Sequence, residues 1–170
     1  MHDDLLQQAR NLALLDARKP KQANLRRAIS AAYYSLFHYL VDQSCRLVLG
    51  TRHDQAPYRQ VLGRAFEHTT MKEACRSFAG GTLKAGASKG LPPSFVVPPE
   101  NVDIAALFFE LQTKRHQADY DLTERFRRKD VLGLIGDVDI AIRRFQRIPS
   151  TNEKKFFLAC LWAWKALANR

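Results

Sequence analysis

"NLRRAISAAYYSLFHYLVDQ", residues 24 to 43, is the stretch on which the fold turns. Arg27, Ala31, Tyr34 and His38 recur at spacings of four, three and four, which puts them on one stripe of an α-helix. Arg26, Ser30, Tyr33 and Phe37 form the adjacent stripe, while Leu25, Ile29, Ala32, Leu36 and Leu40 lie elsewhere around the axis. A helix with apolar or aromatic groups on so much of its surface belongs at the centre of a helical protein rather than at its edge. Ala28, Ala31 and Ala32 are small enough to let neighbouring helices approach closely.

On either side the periodicity stays helical. Leu5, Leu6, Ala9, Leu12, Ala13 and Leu15 follow the spacing of a first amphipathic helix. "RKPKQ", residues 18 to 22, breaks it, because Pro20 cannot continue a helix. The second helix is expected from about Gln22 to Leu49, with Gly50 as its stop. "PYRQVLGRAFEH" then carries Pro57 at a favoured first-turn position, and "TMKEACRSFA" follows behind Thr69 or Thr70.

Residues 80 to 100, "GGTLKAGASKGLPPSFVVPPE", hold four glycines and four prolines and predict an irregular loop, with "SFVV" packing back on the core. Asn101 is expected to cap a helix from about 102 to 122, and Asp130 one reaching about Arg147, where Pro149 ends it. "STNE" gives the Ser-x-x-Glu spacing of a capping box, Ser150 to Glu153, ahead of an aromatic last helix over residues 151 to 168. There is no strand alternation and no repeat. The reading is a single all-α domain, a bundle of six or seven helices.

Composition narrows the function classes. The chain has 170 residues, 46% of them apolar, enough to bury a core, and no apolar run reaches the ~18 residues a membrane span needs. "MHDDLLQQAR" has acids where a signal peptide carries cations, so a cytoplasmic protein is expected. Cys45, Cys75 and Cys160 form no CxxC or Cys/His pattern, which predicts buried thiols, with neither a disulfide framework nor a metal site. Lys and Arg number 27 against 17 acids, a net charge of +10 that favours a polyanionic partner such as RNA.

"KRHQADYDL", residues 114 to 122, closes the apolar helix "VDIAALFFELQ" with titratable and hydrogen-bonding side chains. Arg115 and Asp119 stand four apart and can pair, which would hold the guanidinium for phosphate contact. Together with Arg26, Arg27, Ala28, Ala32, Tyr33, Tyr34, Phe37 and His38, the run Arg115, Ala118, Asp119 and Tyr120 resembles the HEPN superfamily, specifically its small stand-alone bacterial and archaeal members. The likeness covers about residues 22 to 148.

The resemblance implies a helical bundle paired as a homodimer. It also implies a metal-independent, cofactor-free endoribonuclease of toxin–antitoxin or defence systems, with a nucleotidyltransferase-like antitoxin as partner. Arg115, His116, Asp119 and Tyr120 are the candidate catalytic residues. Arg27, Tyr34, His38, Arg125, Arg127 and Arg128 are the candidate RNA contacts. One departure stands out: where an active member carries histidine four to six residues beyond the arginine, this chain has Tyr120, and no histidine follows His116. An ordinary tyrosine titrates near ~10 and is a poor general base at neutral pH. A non-cleaving RNA- or nucleotide-binding module and a dimeric scaffold for a protein partner therefore stay open beside the ribonuclease.

Overall fold

A computed structural model describes residues 1–168, and these are helical, with no strand among them. The elements in order are α1 (His2–Leu14), α2 (Gln22–Leu49), a single 3-10 turn (His53–Gln55), α3 (Ala56–Gly63), α4 (His68–Ala79), α5 (Ala85–Ser88), α6 (Pro99–Tyr120), α7 (Arg128–Arg147) and α8 (Asn152–Ala168). The all-helical expectation holds, and α2 keeps both of its expected ends. It stops at Gly50, whose φ of +77° is left-handed backbone that glycine adopts without a Cβ penalty.

Several helix ends differ from the expected ones, each for a local reason. The described residues form eight α-helices rather than six or seven, because the glycine- and proline-rich loop contains a single helical turn. Buried Ala87 anchors that turn, and Gly81 and Gly90, both with positive φ, bend the chain on either side of it. The helix α6 begins at Pro99, ahead of Asn101, since proline suits a first turn whose N–H groups need no intrahelical partner. Asn101 is therefore not the cap. It is fully buried, and its Nδ2 donates to Glu153 O at 3.2 Å. Asp130 likewise sits inside the first turn of α7 rather than ahead of it. At α8 the capping oxygen is Thr151 Oγ1, which accepts from Lys154 N at 3.2 Å, one residue later than the Ser150 box.

The chain divides into two compact units. Unit one comprises residues 1–39 and 107–144. It is built on Leu6, Ala9, Leu25, Ile29, Tyr33, Leu36, Phe108, Leu111, Ile135 and Val138, all buried. Tyr33 meets Phe108 with ring centroids 5.6 Å apart, and an Arg10–Asp139 ion pair at 2.8 Å ties α1 to α7. Ala28 and Ala32 of α2 are completely covered, as small residues at close helix approaches should be.

Unit two comprises residues 40–106 and 145 onward. Its core sets α4 against α8 through Phe78, which meets Phe157 at 4.9 Å and Trp164 at 6.2 Å. Phe156, on the same helix, takes Phe95 of the long loop edge-on at 5.8 Å and Val97 is buried, so half of "SFVV" packs back while Ser94 and Val96 stay exposed. Cys45, Cys75 and Cys160 are free, buried thiols. Burial raises the thiol of Cys75 and pushes that of Cys160 up to about 12.

Candidate functional site

The C-terminal end of α6 meets the N-terminal half of α2 inside unit one, and the residues singled out in "KRHQADYDL" and "RRAISAAYYSLFH" converge there. A helix C-terminus leaves carbonyls without intrahelical donors and carries a partial negative charge, so it draws a cation. Arg26 is that cation. Its Nη1 donates to Ala118 O at 2.7 Å, and its Nη2 donates to Asp121 O at 2.8 Å and Glu124 O at 2.7 Å. The guanidinium also lies over the ring of Phe126, 5.4 Å from the centroid. This one side chain fixes both the end of α6 and the loop beyond it.

Arg115 is held from three sides. Its Nε is 2.9 Å from Asp119 Oδ2, with the two side chains only 22% and 24% exposed. Its Cζ lies 5.6 Å from the Tyr33 ring centroid and 5.3 Å from that of Tyr34, so the plane rests against two aromatic rings of α2. Asp119 is engaged on its other oxygen too, where Oδ1 accepts from Ser30 Oγ at 2.9 Å. The carboxylate therefore positions Arg115 and ties α6 to α2. The Nη groups of Arg115 make no hydrogen bond among the described residues, which leaves the outer edge of the guanidinium able to take an anion.

His116 and Tyr120 lie on the adjacent face of α6, and both are exposed, Tyr120 to 67%. Their rings are 4.8 Å apart, so an imidazole and a phenol share one surface position at the end of the helix. This histidine stands one residue after the arginine rather than four to six, and the following turn brings Tyr120 alongside it.

On α2, Arg27 is exposed at the rim of an open groove of about 390 Å³ between α1 and α2, with Leu5, Gln8, Ser30 and Tyr34 among its walls. His38 stacks on Tyr34 at 6.1 Å and is half-buried. Burial, and then the positive N-terminus, push its imidazole below the ordinary value of 6.5, so it is neutral at pH 7 and contributes no charge to phosphate binding. Of the three arginines in "RFRRK", Arg125 and Arg127 are exposed. Arg128 is instead committed within the protein, donating to Asp16 O and to Ala17 O at the end of α1. Among the described residues no group of three or more His, Cys, Asp and Glu side chains could hold a metal ion.

Sequence reasoning missed the functions of Arg26 and Ser30. Arg26 bonds only backbone oxygens, which no side-chain pattern announces, whereas the short hydroxyl of Ser30 one turn beyond Arg26 is a readable hint of a polar partner. Comparison with protein-family models, with curated proteins and with solved structures finds no match to this chain.

Proposed function

We propose that the protein is a HEPN-like, RNA-directed enzyme whose metal-independent ribonucleolytic site lies at the C-terminal end of α6. The observation that carries this reading is Arg115. It is locked by Asp119 and two tyrosine rings while its Nη edge stays open, the arrangement that suits a preorganised phosphate clamp. In the proposed step His116 accepts the proton of the ribose 2′-hydroxyl, and the 2′-oxygen bonds to phosphorus. The bond from phosphorus to the 5′-oxygen breaks, and that oxygen takes a proton from the Tyr120 hydroxyl. The products are a 2′,3′-cyclic phosphate and a 5′-hydroxyl. Arg115 holds the non-bridging oxygens, whose charge grows in the transition state. The partners that go with this reading are a second copy of the chain and a nucleotidyltransferase-like antitoxin.

A second reading, RNA binding without cleavage, is favoured by one feature. His116 leaves the helix about 100° away from Arg115, so a single bound phosphate does not draw both groups together without help. End-labelled RNA incubated with the protein and a chelator separates the two. Cleavage to cyclic-phosphate ends, reduced roughly 10²-fold or more by either Arg115→Ala or His116→Ala, is the expected result. Salt-dependent binding without products would select the second reading, and binding indifferent to Arg115→Ala would defeat both.

A further inference from the structure

The segment "RKPKQ" separates α1 from α2, and in the fold it becomes half of a surface. Gln22 Nε2 donates to Phe126 O at 2.9 Å, and Phe126 N donates back to Gln22 Oε1 at 2.9 Å. This reciprocal pair works like one rung of a sheet and stitches residues 18–22 to "RFRRK". Arg128 adds a second stitch through its bonds to Asp16 O and Ala17 O. Arg26 joins the assembly to the end of α6 through Ala118 O and to the loop beyond it through Asp121 O and Glu124 O.

Charge is concentrated where the stitches are. Residues 16–27 and 121–130 together carry nine Lys or Arg against four acids, so about an eighth of the chain supplies half of its +10 charge. Seven of the cations are exposed: Arg18, Lys19, Lys21 and Arg27 from one segment, and Arg125, Arg127 and Lys129 from the other. Two of the acids are occupied by neighbouring donors. Asp16 Oδ2 accepts from Lys21 N and Asn24 Nδ2, and Asp121 Oδ1 accepts from the backbone N–H groups of Thr123 and Glu124. Asp16 also stands 3.9 Å from Lys21 Nζ, a loose pair that leaves the lysine exposed, and the other surface cations make no ion pair among the described residues.

From this placement we infer that residues 18–21 and 125–129 form one composite phosphate-tracking surface, which holds the flanking strand of an RNA whose reacting nucleotide lies at Arg115. The inference rests on the RNA-directed reading of the α6 site and extends it: the substrate is an RNA longer than the few nucleotides that the end of α6 can cover. RNA fits better than a compact anion, because the cations are spread over two segments rather than converging on a point. Binding governed by such contacts falls with salt in proportion to the number of phosphates neutralised.

The test compares two cluster variants, R18Q/K19Q/K21Q and R125Q/R127Q/K129Q, with a charge-matched control, R52Q/K84Q/K89Q, all at exposed positions. Circular dichroism and thermal unfolding establish that each is folded. For a single-stranded RNA of about twenty nucleotides, each cluster variant should lower the slope of log affinity against log salt by about 2, and the control should not. For a trinucleotide the wild type and all variants should bind alike. Equal slopes for cluster variants and control, or equal losses on the trinucleotide, would overturn the surface. Cleavage is scored separately. A wild type that binds with these slopes but yields no product fails as a ribonuclease while the surface stands, and a wild type that cleaves but shows no cluster-specific slope does the reverse.

Discussion

Arg26 reaches carbonyls at three places along the chain, and the geometry explains why no other cation would serve. A guanidinium presents five donors in a planar fork, whereas an ammonium is one compact point charge. Ala118 O, Asp121 O and Glu124 O are all within 2.8 Å of Nη1 or Nη2. Arg26→Lys keeps the charge and loses the fork, so at least two of these carbonyls lose a charge-assisted bond. The expected cost is about 2 kcal/mol, a fall of roughly 4–8 °C in the unfolding midpoint for a chain of this size. Differential scanning calorimetry checks it, and an unchanged midpoint would show that the carbonyls are equally well served by water. At this scale the sequence was half legible. The Arg115–Asp119 pair was there in the four-residue spacing, while Ser30 and Arg26 find partners about ninety residues away that no local pattern links to them.

Helix interiors were legible in the chain, and helix ends less so, because an end is decided by whichever donor or acceptor reaches it first. Pro149 marked the end of α7, but what satisfies its last carbonyls is Lys154 of α8. The Lys154 Nζ donates to Phe145 O at 2.7 Å and to Ile148 O at 3.1 Å, and it lies 4.6 Å from the centroid of the Phe145 ring. The side chain is 9% exposed, and burial lowers the ammonium below its ordinary value of 10.5. A cation at a helix C-terminus is favourable, and here it doubles as the link from α7 to α8. Lys154→Met fills a similar volume but leaves two carbonyls without their donor. An expected loss of about 1–3 kcal/mol follows, read as a lower urea midpoint with an unchanged dependence on denaturant. A midpoint equal to wild type would mean that an apolar side chain serves this junction as well. The single turn of α5 was not legible for a related reason: it depends on the burial of Ala87, which glycine and proline counts do not reveal.

Stability against pH is a property of the whole molecule, and its limbs follow from which groups the fold perturbs. Asp16, Asp121, Asp139, Glu67 and Glu153 all lie below their ordinary carboxylate values, chiefly through hydrogen bonds to nearby donors. A depressed carboxylate binds fewer protons folded than unfolded. Its contribution is thus present above the unfolded value and lost as pH falls through the folded one, which puts a steep acid limb below about 4. Cys45, Cys75 and Cys160 are raised above 9.0 by burial, so their contribution holds below that value and is lost as the pH climbs past it. Between these limbs His38 is the perturbed group that titrates. Burial, followed by the positive N-terminus, lowers it from 6.5, so the unfolded chain takes up its proton first and stability declines as pH drops below about 6.5. The unfolding midpoint should therefore hold level from about pH 7 to 9, slope gently down as the pH drops below about 6.5, and fall steeply below about 4. His38→Gln keeps a polar side chain there without the titration, so it should flatten the gentle slope and leave both outer limbs in place. Unfolding midpoints measured at half-unit pH steps decide the matter, and a variant that kept the gentle slope below about 6.5 would assign that limb to another group.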